Sequence, residues 1–168
     1  MKRTITICTV ALSLFSGLSA TPETAEVSKL LESYFEVQQE LASDNLVAAR
    51  KAAAAIAERA EDPNEMTAAA VSVAEADDIV AARTEFQGLS TQILALVESA
   101  GTEGGLVYLA RCPMAFGGKG GTWLQDNKTI ANPYFGSQMP RCGGVIKEIG
   151  SLTAMGITQM PDKQCCPK

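Results

Sequence analysis

Between Ile79 and Leu96 apolar residues recur at steps of three, four, three, four and three, through Ala82, Phe86, Leu89 and Ile93. Only a helix places such a series on one stripe, so the stretch predicts a packed amphipathic helix. Val27, Leu30, Leu31, Tyr34, Val37 and Leu41 form a second stripe and predict a helix from about Pro22 to Ser43. A third helix is expected to about Glu61, with Ala49, Ala53, Ile56 and Ala60 inward; Asp44 is its expected N-cap. Pro63 ends that segment, and another helix is expected from Glu65 to about Ala76. The run Asp44–Arg50 is echoed by Asp77–Arg83, as two helical hairpins of similar build require. The expected fold is therefore mainly α, a four-helix bundle of two helical hairpins over residues 21–100.

After Gly101 the chain changes material. Twelve of its 14 glycines and five of its 7 prolines lie at or beyond that residue, which predicts a turn-rich segment with short strands such as Leu106–Leu109. The two parts are expected to form one domain, with residues 101–168 packed on the bundle.

The first twenty residues have another character. Lys2 and Arg3 precede an apolar run from Ile5 to Leu14, and Leu18-Ser19-Ala20 suits signal peptidase, so residues 1–20 are expected to be a signal peptide cleaved after Ala20. The run is short of the roughly 20 residues a membrane span needs, so a periplasmic chain without membrane insertion is expected. Cleavage takes two positive charges from a chain of net charge -5. An acidic surface disfavours nucleic acid and anionic lipid as partners.

The four cysteines beyond the signal, Cys112, Cys142, Cys165 and Cys166, all lie in the glycine-rich part. Met114 follows Cys112 by two positions and Met139 precedes Cys142 by three, so two turns each carry a thiol and a thioether. Those sulfurs suit a soft ion such as Cu(I), which accepts two to four ligands without strict geometry. The chain has no histidine, which removes the usual ligand of type-two copper, catalytic zinc and non-haem iron. Cys165, Cys166 and Trp123 are weaker members of the set; Trp123 or Phe116 would wall the site, although a tryptophan is more often a core anchor. Arg111 and Arg141 adjoin the cysteines and could favour thiolates. The spacing alone serves a disulfide as well as a metal, because cysteines of exported chains often pair, and four cysteines allow three pairings. No CxxC, no Gly-x-Ser-x-Gly and no histidine base is present, so no enzyme is expected.

Cys112-Pro113-Met114-Ala115-Phe116, the run from Gly118 to Trp123, Asn132-Pro133-Tyr134-Phe135-Gly136 and Met139-Pro140-Arg141-Cys142-Gly143 together resemble a family of exported bacterial domains. Leu41-Ala42-Ser43-Asp44 and Ala82-Arg83-Thr84-Glu85-Phe86 resemble its helical signatures. Such domains occur alone or fused to periplasmic adaptor subunits of heavy-metal efflux systems of the resistance-nodulation-division type. The resemblance implies copper or another soft metal as cargo, an efflux or copper-delivery component as partner, and Cys112, Met114, Met139 and Cys142 as its ligands. The other function carried forward is a disulfide-stapled helical interaction module without metal.

Overall fold

The structure is a computed structural model that describes residues 22–59, 64–102 and 105–150. Four helices come first: α1 (Pro22–Ala42), α2 (Leu46–Arg59), α3 (Glu65–Glu75) and α4 (Ile79–Ala100). Three strands follow, β1 (Val107–Cys112), β2 (Gly121–Gln125) and β3 (Gly144–Ile149). Each helix packs on the next, and α4 closes back on α1. The signal segment, Ala60, Pro63 and the tail with Met155, Met160, Cys165 and Cys166 lie outside the described residues.

The stripes behave as periodicity dictates. All six α1 stripe residues are buried, and so are Ala82, Phe86, Leu89 and Ile93 of α4. Leu96 is only half-buried, and Val97 takes its place in the core at 1% exposure. A heptad repeat falls behind a 3.6-residue helix by about 20° per seven residues, so by its far end the buried line has moved on one residue. The inner face of α2 is Ala49, Ala52, Ala53 and Ile56. Alanines bury little area each, and the large apolar contributions come from neighbours such as Phe86 and Leu41, at about 1.5–3 kcal/mol apiece.

Helix ends follow side-chain chemistry, with one correction. Asp78 accepts from the Val80 and Ala81 amides and caps α4, and Asn64 caps α3 through the Thr67 amide. Asp44 does not cap α2. It lies in the left-handed region at φ 60°, and Asn45 accepts from the Ala48 amide instead. The echo between Asp44–Arg50 and Asp77–Arg83 aligns Asn45 with Asp78, so the capping position is the second residue of each run. Gly101, at φ 79°, terminates α4.

The segment read as a loop with short strands is an antiparallel sheet in the order β2-β1-β3. Leu106–Leu109 was expected as the strand; β1 instead runs on to Cys112, past an irregularity at Leu109/Ala110. Pairing with neighbours on both sides holds extended backbone through residues whose own pattern does not specify it.

Sheet and bundle are joined by buried hydroxyls. The Leu124 amide donates to the Tyr34 hydroxyl (3.0 Å), Tyr34 donates to Ser90 (2.6 Å), and Ser90 donates to the Thr122 carbonyl (3.2 Å). Burial pushes the Tyr34 phenol far up, which keeps it neutral and a donor. Tyr34 also stacks on Phe86, with ring centroids 5.4 Å apart.

Candidate metal centre

Cys112 closes the central strand β1, and its side chain is fully buried. Cys142 closes the turn Met139–Cys142, in which its amide donates to the Met139 carbonyl (3.2 Å), just before β3. Because Arg111 pairs with Gly144, the two chain segments run side by side at this end of the sheet. Gly143 makes that approach tight: a Cβ there would stand 2.6 Å from the Arg111 carbonyl oxygen, and its φ of 117° favours glycine.

Both cysteines are free thiols, and their sulfurs lie 3.1 Å apart. A disulfide would need about 2.05 Å. An ion with metal–sulfur bonds of about 2.3 Å holds two sulfurs about 3.7 Å apart at a tetrahedral angle, and farther at wider angles. The pair stands between these limits, so either outcome requires a shift of the turns by no more than about 1 Å for cystine or a tetrahedral ion.

Asn132 fixes the second turn. It is fully buried, and its amide nitrogen donates to the Cys142 carbonyl (2.8 Å) while its oxygen accepts from the Tyr134 amide (2.9 Å). Its own backbone amide donates to the Pro140 carbonyl (3.0 Å). In the sequence Asn132 carries no role beyond its motif; the Asn132-Pro133 pair, which favours turn initiation, was the available signal.

The two thiols differ in electrostatic setting. Burial works against ionisation of Cys112, yet donors around its sulfur outweigh it: the Cys142 thiol, the Met114 amide, the Asn132 side chain and the Ala115 amide. Its thiol is thereby held below the ordinary range. Cys142, which donates to Cys112, is pushed up by that hydrogen bond, by burial and by the neighbouring negative charge. Backbone and amide donors thus do what Arg111 and Arg141 were expected to do. Arg141 is bound instead to the Ile130 carbonyl, and the Arg111 guanidinium lies against Gly120.

The other expected ligands are distributed unequally. Met114 is 55% exposed at the surface, and Met139 is half-buried at the start of the Cys142 turn. Trp123 is a core residue with no exposure, its indole donating to Gln125 (3.0 Å). Tyr134 meets both Trp123 and Phe116 edge-on, at 5.8 and 4.9 Å. Among the described residues, no group of three or more Cys, Asp or Glu side chains gathers as a metal-holding cluster.

The bundle grips this region through Arg83, which is buried at 7% exposure. Its guanidinium donates to the Pro133 carbonyl (2.9 Å), to the Leu41 carbonyl at the end of α1 (2.9 Å) and to Asp44. Asp44 also accepts from the Ser137 amide (3.1 Å), and a side chain at Gly136 would collide with both partners of the ion pair. Hydrogen bonds from Ser137, and then the guanidinium, hold the Asp44 carboxyl below the usual carboxylate range.

No helix among the described residues is long and apolar enough to cross a membrane. No curated protein and no solved structure matches the chain. Residues 30–105, from within α1 to the approach to β1 and short of both cysteines, match the family model described as "Protein of unknown function (DUF3347)".

Proposed function

We propose that the protein is an exported, periplasmic soft-metal carrier that holds Cu(I) between the Cys112 and Cys142 thiolates, with Met114 and Met139 completing the sulfur set. The observation that supports this most is the 3.1 Å separation of two free thiols from turns thirty residues apart in sequence. The donors that favour thiolate at Cys112 add to it, since a thiolate is the form that ligates metal. The lack of histidine in the chain and the availability of methionine thioethers favour Cu(I) over zinc. A labile sulfur site releases its ion by adding an incoming ligand before losing one, and a periplasmic efflux or copper-delivery component is the recipient this chemistry suits.

A second reading, the disulfide-stapled interaction module, draws on the same distance, since the sulfurs need move only about 1 Å to bond. Anaerobic titration of the reduced chain with Cu(I) against a competing chelator separates the two. Carrier function requires one tightly held ion that is lost with Cys112→Ser and with Cys142→Ser. Affinity unchanged in both variants, or no binding by the reduced parent, leaves the staple.

A further inference from the structure

The two sulfurs are chemically paired but not equivalent in position. Cys112 ends the central strand of the sheet, pairs with Gly121 of β2, has no exposure, and sits beside the fully buried Asn132. Cys142 is half-buried, between exposed Arg141 and exposed Gly143, in the turn that leads into β3. A sulfur can attack an external disulfide, or accept an ion from an external donor, only where that partner can reach it. We infer that Cys142 is the entry sulfur of the site, the one on which thiol–disulfide exchange begins, and that Cys112 is the inner sulfur that completes the exchange. The inference rests on the reading of this pair as the working sulfurs and adds the order in which they act.

For a disulfide donor R–S–S–R of the glutathione class, the steps balance as follows. The Cys142 thiol is the less acidic of the two but the one a donor can reach. It gives up its proton to solvent and attacks one donor sulfur, the S–S bond breaks, and the first RS⁻ leaves and takes up a proton from solvent. The Cys142–S–S–R bond now lies within reach of the Cys112 sulfur, which is 3.1 Å from Cys142 in the free pair. Cys112 attacks the Cys142 sulfur and expels the second RS⁻, which takes up the Cys112 proton. The dithiol is oxidised to cystine, and the donor is reduced to two thiols. The reverse order would require an external sulfur to reach Cys112 through the sheet end, which needs local opening.

The sequence makes the order readable by mass. Trypsin places Cys112 in the peptide Cys112–Lys119, Cys142 in Cys142–Lys147, and both tail cysteines in Gln164–Lys168. The reduced, metal-free full chain is treated with 5,5′-dithiobis(2-nitrobenzoate), quenched in acid and mapped. With Cys112→Ser, a stable mixed disulfide is expected on Cys142–Lys147. With Cys142→Ser, labelling of Cys112–Lys119 is expected to be at least about ten-fold slower in the native chain and to reach the Cys142 rate in urea. A brief iodoacetamide pulse on the unsubstituted chain gives the same comparison without relying on either variant's fold, and Cys142–Lys147 is expected to carry label first. Cys112 reacting as fast as Cys142 in the native chain overturns the order. So does parent protein that never yields the Cys112–Cys142 linked peptide. Since no metal is present, these results are independent of whether the Cu(I) reading survives.

Discussion

Replacing Arg83 with Met tests whether the helical bundle holds the sulfur turns in place. Met is close to Arg in length and fills an irregular gap, so the loss of the guanidinium's hydrogen bonds dominates over a cavity term. The Pro133 carbonyl, on a buried residue, loses its donor, at about 1–3 kcal/mol for an orphaned buried acceptor. The Leu41 carbonyl keeps a bond from the Asp44 amide at 3.3 Å, so its loss is nearer 0.5–1.5 kcal/mol, roughly the value of an ordinary hydrogen bond. Asp44 is 38% exposed and re-hydrates, which limits the ion pair itself to about 1 kcal/mol or less. The expected sum is about 1.5–5.5 kcal/mol of unfolding free energy, or a fall in Tm of roughly 3–20 °C for a chain of this size. Urea unfolding followed by circular dichroism reads the first and calorimetry the second. The Cys112–Cys142 pair should also oxidise more slowly in a glutathione buffer, because Pro133 adjoins the Asn132 that holds the Cys142 turn. A stability loss under about 0.5 kcal/mol, with oxidation at the parent's rate, would refute the claim that Arg83 couples bundle to site.

Asn132→Ala should cost about 1.5–4 kcal/mol, because the buried Tyr134 amide loses its acceptor and the half-buried Cys142 carbonyl an ordinary hydrogen bond; the urea midpoint checks it. Met114→Leu should leave stability within about 0.5 kcal/mol, since the side chain is 55% exposed, but should weaken Cu(I) about ten-fold in chelator competition. Unchanged affinity there removes Met114 from the ligand set. The folded Asp44 carboxyl is lowered by Ser137 and Arg83, so its contribution is complete above the ordinary carboxylate range and lost as pH falls through the lower folded value. The stability difference between parent and Asp44→Asn should therefore be flat above about pH 5 and shrink below about pH 4, measured by urea unfolding across that range.

What was legible in the sequence was what depends on near neighbours in the chain. The α1 and α4 stripes and the start of α3 at Glu65 each follow from residues within a few positions, and α3 begins where it was expected. The exchange of Leu96 for Val97 shows the limit of a repeat counted in heptads. Strands β2 and β3 were missed because Gly121–Gln125 and Gly144–Ile149 are short and follow glycines; pairing with β1 makes them strands. Spacing suggested a meeting of Cys112 and Cys142, and their sulfurs lie 3.1 Å apart. Which of them is buried depends on register across the sheet, which no local pattern carries, whereas Trp123 takes the core position a tryptophan most often takes. Asp44 was misread for the same reason: its partners, Arg83 and Ser137, lie 39 and 93 residues away.

The hydroxyl relay from Leu124 through Tyr34 and Ser90 to Thr122 bears on how portable the helices are. Stripped of the strands and the turns between them, the four-helix stretch would present to water a face shaped for a lid, with Phe86 deprived of Tyr134 and the Tyr34–Ser90 pair left bonded only to itself. Such a fragment is half of a closed box: it demands either its own sheet or a surrogate surface from another polypeptide, and expressed in isolation it should clump or stay loosely ordered.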